Sequence, residues 1–420
     1  MRKRFLSIAM AASFAMLFNA QQIKFEEYDL PNGLHVILHQ DNSAPVVTTS
    51  VMYHVGAKDE AAGRTGFAHF FEHLLFEGTK NIKRGEWFKL VSSNGGSNNA
   101  NTSPDRTYYY ETFPSNNEQL GLWMEAERLR HPVINQIGVD TQREVVKEEK
   151  RLRMDNQPYG GLFNAILTTL FKKHPYKGTV IGSMEDLNSA KLEEFNAFFK
   201  KYYIPNNATL VVAGDIKPEQ TKKWINEYFG SIPKGTPITR NFPKETPITQ
   251  EFEETIYDAN IQIPAYIFAY RTPAGNERDA YILSMLGSYL SKGKSSVLYK
   301  KLVDNEKKAL AVEAFNLGLV DHSIFAFFAI PMGNTSKDVL KKDIDAEIKK
   351  LQTDLISEED YQKLQNQVEN DFVNANSSVE GIANTLADSY LLKGNTNLIN
   401  EEINIYRSIT REDLRNAARK

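Results

Sequence analysis

His69, Glu72 and His73 fall within five residues, His69-Phe70-Phe71-Glu72-His73, and their types and spacing suit metal chemistry. In a helix, positions i, i+3 and i+4 share one face, so the two imidazoles and the carboxylate would project side by side. Two histidines four residues apart can hold one zinc ion from that face. A glutamate between them then sits beside the ion's open position, where it can take a proton from water. The competing reading is a surface helix with two solvated histidines and an acid. Phe67, Phe70, Phe71, Leu74, Leu75 and Phe76 argue against it, because a helix this apolar all round is buried. Buried imidazoles and a buried carboxylate need partners, and a metal supplies one.

The elements that must position this face follow from the patterning. Residues 25–40 alternate and turn at Pro31-Asn32-Gly33, which reads as two short strands, and Val46 to Val55 reads as a third. Gly66 to Glu77 is the motif helix, and Gly85 to Val91 a second short one. Ser92 to Gly96 is a turn, and Asn98 to Phe113, with Tyr108, Tyr109 and Tyr110, is strand-rich. Helices are expected over Asn116 to Arg130, Asp140 to Asn156 and Ala190 to Tyr203, and a buried strand over Ala208 to Ala213, closed by Gly214-Asp215. Residues 231–250 carry Pro233, Pro237, Pro243 and Pro247 among Thr and Lys, which reads as a linker between a first half (22–230) and a second (251–420). The second half starts with strands (Ala259 to Arg271), then a helix (Ala280 to Leu290), Ser295 to Val303, strands within Ala311 to Ile330, and helices to the end. Strand, strand, helix, strand in both halves suggests a diverged internal repeat in an α/β chain. Thr410, with Glu412 and Asp413 in the first turn, opens a last helix, so the second half reads as short of a terminal strand.

Composition bounds the rest. The 420 residues suffice for about two or three domains. A net charge of −3, with Lys and Arg dispersed rather than striped, gives no footprint for nucleic acid. The absence of cysteine excludes disulfides, thiolate ligands and a thiol nucleophile. Met1-Arg2-Lys3-Arg4 followed by the apolar stretch Phe5 to Phe18 reads as a signal peptide over residues 1–20, cleaved after Ala20. The apolar stretch is too short for a typical membrane span, and no later segment is apolar enough for one. The expectation is a secreted protein, periplasmic or extracellular.

Catalytic zinc takes three protein ligands and water, so a third ligand must come from elsewhere. The best source is the helix Arg143 to Arg151. Val145, Val146 and Leu152 are expected to set its apolar face, and Glu149 lies three and four residues from Val146 and Val145. Glu144 and Glu148 form a separate pair pointing elsewhere. Such charge runs usually mean a solvated helix laced with ion pairs, and spacing alone leaves both readings open.

The stretch Gly66-Phe67-Ala68-His69-Phe70-Phe71-Glu72-His73-Leu74-Leu75-Phe76-Glu77-Gly78-Thr79 resembles the signature of the pitrilysin/insulinase family, whose H-x-x-E-H order is called inverzincin. The branch it resembles is that of the mitochondrial processing peptidase beta subunit and its bacterial relatives. Val145-Val146-Lys147-Glu148-Glu149 matches the family's V-V-x-x-E pattern, Asn99-Ala100-Asn101-Thr102 is similar to its N-A-x-T strand, and Gly214-Asp215 closes the first half. The resemblance implies two related two-layer sandwich halves, each an antiparallel-rich sheet covered by helices. It also implies one zinc ion per chain held by His69, His73 and Glu149, and Glu72 as the base in peptide-bond hydrolysis. Asn99, Ala100, Asn101 and Thr102 would be the sheet edge that pairs with a peptide substrate.

Three positions depart from the pattern. Gln142 stands where the family often has a second-shell glutamate, so the tuning of the ligands there is altered. Val297, in Ser295-Ser296-Val297-Leu298-Tyr299, stands where an arginine is usual, and Lys308-Ala309-Leu310-Ala311 lacks the usual tyrosine. That pattern suggests the zinc-bearing subunit of a heterodimer whose related partner supplies the Arg/Tyr contacts; a homodimer is the duller alternative. A non-catalytic structural or peptide-binding subunit is the rival function, but such members lose ligands or the base, and all four residues are present here.

Overall fold

Two stretches, Val46–Tyr53 and Ala208–Gly214, are almost entirely buried and form the middle of a sheet covered on both faces, as unbroken β-branched and apolar runs do. The computed structural model describes residues 22–420; the signal reading lies outside them. The first sheet holds β1 (Glu26–Asp29), β2 (His35–Gln40), β3 (Val46–Tyr53), β4 (Ser97–Thr102), β5 (Thr107–Pro114) and β6 (Ala208–Gly214). Their order is β1-β2-β6-β3-β5-β4, antiparallel except for β2 against β6. The second sheet holds β7 (Tyr266–Thr272), β8 (Ala309–Leu317) and β9 (Ser323–Pro331) in the antiparallel order β7-β9-β8. This repeats the β3-β5-β4 order of the first sheet, so the repeat suggested by the element order is present in the topology.

The helices of the first half are α1 (Phe67–Leu74), α2 (Trp87–Ser93), α3 (Glu118–Arg130), α4 (Gln136–Lys150), α5 (Leu162–Leu170), α6 (Met184–Ser189), α7 (Leu192–Tyr202) and α8 (Pro218–Phe229). Those of the second are α9 (Arg278–Ser291), α10 (Lys337–Thr353), α11 (Glu358–Ala375), α12 (Val379–Leu391), α13 (Leu398–Arg407) and α14 (Arg411–Arg419). Each sheet is thus covered by helices, a mixed α/β architecture of two related halves.

The halves exchange cover. Along the first sheet, Val36, Leu38, Val51, Leu210 and Val212 face the first half's own helices. The alternate positions Ile37, Met52, Val211 and Ala213 pack on Ile382, Ala383, Leu386 and Ala387 of α12, which comes from the second half. In return, Ile166, Leu167 and Leu170 of α5 pack on Ile324 and Ala326 of β9. Strand alternation makes each sheet two-faced, and each half's own helices cover only one face.

Local patterning misleads in three places. No helix or strand occurs between residues 233 and 265, so the expected strand over 259–271 starts only at Tyr266, just beyond Pro264. Helices α5, α6 and α8 were not expected; α5 is a short apolar run whose packing partner is the distant second sheet. The expected helix over 140–156 is α4 followed by a π-helical turn, Arg151–Asp155.

Candidate metal centre

Helix α1 is fixed from behind. Phe67 stacks on Phe195 of α7 at 4.6 Å between ring centroids, Phe70 meets the same ring tilted at 4.5 Å, and Phe71 lies 5.5 Å from Phe198. Each fully buried phenylalanine contributes about 1.5–3 kcal/mol, so the back of the helix is anchored by several kcal/mol. The Tyr109 hydroxyl donates to the Phe71 carbonyl at 2.8 Å. At the start of the helix, Gly66 adopts a φ of +91°, and a Cβ there would lie 2.7 Å from the Gly182 Cα. The buried Glu60 carboxylate accepts from the amides of Gly66 (2.9 Å) and Ala68 (2.8 Å), satisfying donors that a helix N-terminus leaves unpaired. The face left free carries His69, Glu72 and His73.

Helix α4 brings the fourth residue. Asn135 Oδ1 accepts from the Gly138 amide and caps it. The inward stripe is Val139, Gln142, Val146 and Glu149, spaced by three or four residues. This corrects the expected apolar face: Val146 is fully buried, whereas Val145 is 44% and Leu152 56% exposed. Glu144 and Glu148 turn outward to Lys147 and Arg151.

His69, His73 and Glu149 converge, with one donor atom from each lying within 4.8 Å of the others. Glu149 Oε2 is 3.5 Å from His69 Nε2 and 3.0 Å from His73 Nε2. Burial pushes the His69 imidazole down to about 4, with the neighbouring His73 acting in the same direction. The His73 imidazole beside Glu149 holds that carboxyl below the usual range. At neutral pH the set is therefore a neutral His69 imidazole beside an ionised carboxylate. Arg153 Nη1 pairs with Glu149 Oε1 at 3.0 Å, while Oε2 is buried against the two imidazoles, where a bound cation would offset the cost of burying its charge. Donors around a tetrahedral zinc ion with bonds of about 2.0–2.1 Å lie roughly 3.3–3.4 Å apart; Glu149 Oε2 approaches both imidazoles at close to that spacing, and all three donors lie within 4.8 Å of one another.

Glu72 is half-buried, and its Oε2 accepts from Thr102 Oγ1 at 2.6 Å. Burial pushes its pKa up, and the Thr102 hydrogen bond works against that shift. Thr102 ends β4, the free edge of the first sheet. Ser103 N donates to Arg106 O at 2.9 Å across the turn. Antiparallel alternation then aims the main chain of Asn101 and Asn99 at β5, and that of Asn98, Ala100 and Thr102 at the open side. Asn99 Oδ1 accepts from the Ala100 amide at 2.9 Å, and Arg106 donates to the Asn101 carbonyl at 3.0 Å. Among the described residues no strand pairs with the edge expected to hold substrate, and the Asn99 side chain occupies one of its open groups, the Ala100 amide.

Gln142 lies on the inward stripe of α4, but its amide donates to Glu77 Oε1 at 2.5 Å rather than to a histidine, while Arg84 takes the other Glu77 oxygen. Gln142→Glu would set two carboxylates against each other in a half-buried site. It is expected to lower stability by about 1–3 kcal/mol; urea unfolding of the variant against wild type checks this. Val297 packs beside Tyr289 and Leu351 within the second half, and Leu310 is exposed on β8.

Two contributors carry no sequence signal. Glu60 precedes Gly66, the residue at the start of the helix, by six positions, outside any capping spacing. The Thr102 hydroxyl meets Glu72 only through the pairing of β4 with β5.

Residues 35–183 match the family described as Insulinase (Peptidase family M16), and residues 189–368 the Peptidase M16 inactive domain. The chain is 33% identical over 375 residues to the zinc protease PqqE of Helicobacter pylori, covering 88% of this chain and 84% of that one. It is 24% identical over 351 residues to a probable mitochondrial-processing peptidase subunit beta of Arabidopsis thaliana, covering 80% of this chain and 65% of that one. The crystal structure of a protease from Helicobacter pylori superposes with a TM-score of 0.85 at 30% identity, covering 94% of this chain and 96% of that one. With two related α/β halves and a convergent His69, His73 and Glu149 in the first, the chain belongs to peptidase family M16, the insulinase family.

Proposed function

We propose that this protein is a secreted zinc endopeptidase that cleaves peptides or unfolded segments, with zinc held by His69, His73 and Glu149. The observation that carries the reading is the convergence of the buried Glu149 Oε2 on two imidazoles, 3.5 Å from His69 Nε2 and 3.0 Å from His73 Nε2, with Glu72 on the same face of α1. A bound zinc ion supplies Lewis acidity, which polarises a carbonyl and acidifies water to a pKa of about 7. Glu72 takes the proton of the attacking water and hands it to the departing amine, so that one water and one peptide bond become a carboxylate and an amine. Thr102 holds the Glu72 carboxylate in place. The open main-chain groups of Asn98 and Thr102 and the Ala100 carbonyl pair with an extended peptide, which gives affinity with little sequence demand.

Val297 and the Leu310 stretch favour a two-chain enzyme in which a related chain without H-x-x-E-H completes the substrate contacts. Secretion rests on the basic and apolar N-terminal sequence; among the described residues no helix is long and apolar enough to cross a membrane. Hydrolysis of quenched fluorescent peptides by this chain, alone and mixed with such a partner, tests the pairing. Activity only in the mixture is expected. Full activity alone would mean that a homodimer or single chain suffices, and zinc without activity in either case would favour a peptide-binding subunit.

A further inference from the structure

Lys58 is only 2% exposed and lies where the two halves meet. Its Nζ is 2.8 Å from Asp105 Oδ1 and 2.8 Å from Asp321 Oδ2. Asp105 lies in the tight turn between β4 and β5, and Asp321 in the turn between β8 and β9, the equivalent hairpin of the second sheet. The two hairpins therefore meet at their tips through one buried ammonium. The Tyr176 hydroxyl joins them again: it donates to Asp105 Oδ1 at 2.6 Å and accepts from the Asp321 amide at 3.0 Å. The other Asp105 oxygen accepts from the Val320 amide at 3.1 Å. Both oxygens of Asp105 are thus engaged, one by groups of the first half and one by main chain of the second.

The same turn is clamped from the side of Lys58. The Ala57 amide donates to Ser103 O at 3.2 Å and the Lys58 amide to Pro104 O at 3.0 Å. A Cβ on Gly56 would lie 2.4 Å from the Pro104 carbonyl oxygen, so the segments touch without slack. The residue that leads into this turn is Ser103, and the one before it is Thr102, whose hydroxyl holds Glu72.

We propose that the β8–β9 turn of the second half, acting through Asp321, Lys58 and Tyr176, positions the β4–β5 hairpin so that Thr102 orients Glu72. Asp321, Lys58 and Tyr176 are then positioning residues for a base they do not touch, and the second half takes part in the chemistry as a brace. This rests on the reading of Glu72 as the base. It follows from the geometry, because a small displacement of an orienting group can lower a rate strongly without weakening ground-state binding.

The test is a double-mutant cycle in whichever assembly hydrolyses peptide, using Asp321→Ala, Tyr176→Phe and Thr102→Val. Asp321→Ala and Tyr176→Phe are each expected to lower kcat about tenfold, with KM within about twofold and zinc content unchanged. Thr102→Ser should retain most of the activity that Thr102→Val loses. In the Thr102→Val background, Asp321→Ala and Tyr176→Phe should each add less than about twofold, since the route to Glu72 is already cut. Full multiplicative losses in that background, a loss confined to KM, or unchanged kcat in both single variants would overturn the proposal. Tyr176→Phe decides the matter if Asp321→Ala folds poorly. Glu72→Gln run alongside separates the two levels: if it turns over like wild type, the base assignment itself fails, whereas an inactive Glu72→Gln with a multiplicative cycle sinks only the brace.

Discussion

Glu72→Gln is expected to keep one zinc per chain and to lose about 10²–10⁴-fold in kcat, the range by which a positioned acid-base group contributes. The substitution is isosteric. Its amide oxygen can still accept from Thr102 Oγ1, the partner that holds the native carboxylate at 2.6 Å, so the side chain should stay where it is. What it loses is the ability to take a proton. A fall in kcat with KM nearly unchanged would locate the defect in the chemical step rather than in binding. Metal analysis of the same preparation separates this from ligand loss, because Glu72 is not among the three convergent donors. Turnover at the wild-type rate would remove Glu72 from the mechanism.

Glu149→Ala is expected to weaken zinc binding by about 10²–10³-fold, taking roughly 10–16 kcal/mol for a full zinc site and dividing it among four ligands. Activity should vanish at ordinary zinc concentrations. A ligand that binds only the folded state raises stability by mass action, so added zinc should raise the Tm of the wild-type protein and leave that of Glu149→Ala nearly unmoved. The paired variants Glu144→Ala and Glu148→Ala should behave as wild type, since those carboxylates face Lys147 and Arg151 in solvent. If Glu149→Ala titrated zinc like wild type, the third ligand would have to be sought elsewhere.

The motif helix could be read from the sequence because chemistry and patterning coincide there: His69, Glu72 and His73 share a face in a segment otherwise apolar all round. The strands β3 and β6 were equally plain, since long β-branched runs have few alternatives. The inward face of α4 was misjudged because Val145 and Val146 are adjacent and only one of them can point inward; the stripe through Val139, Val146 and Glu149 is the one that packs. The exchange of α5 and α12 between halves could not be read locally, because an apolar helix face does not state which sheet it will cover. Thr102 belonged to the edge motif in sequence, but its hold on Glu72 depends on a hairpin register fixed by tertiary pairing. The Lys58 cluster draws single residues from four distant segments, none of which carries a spacing signal.

X-ray absorption at the zinc edge of the purified protein tests the central claim most directly. The predicted spectrum is that of about one zinc per chain, with two imidazoles and one carboxylate among light-atom ligands at about 2.0–2.1 Å, and loss of the carboxylate or of the metal in Glu149→Ala. Protein that holds no zinc after dialysis, or zinc whose first shell lacks two imidazoles, would contradict the assignment of His69, His73 and Glu149.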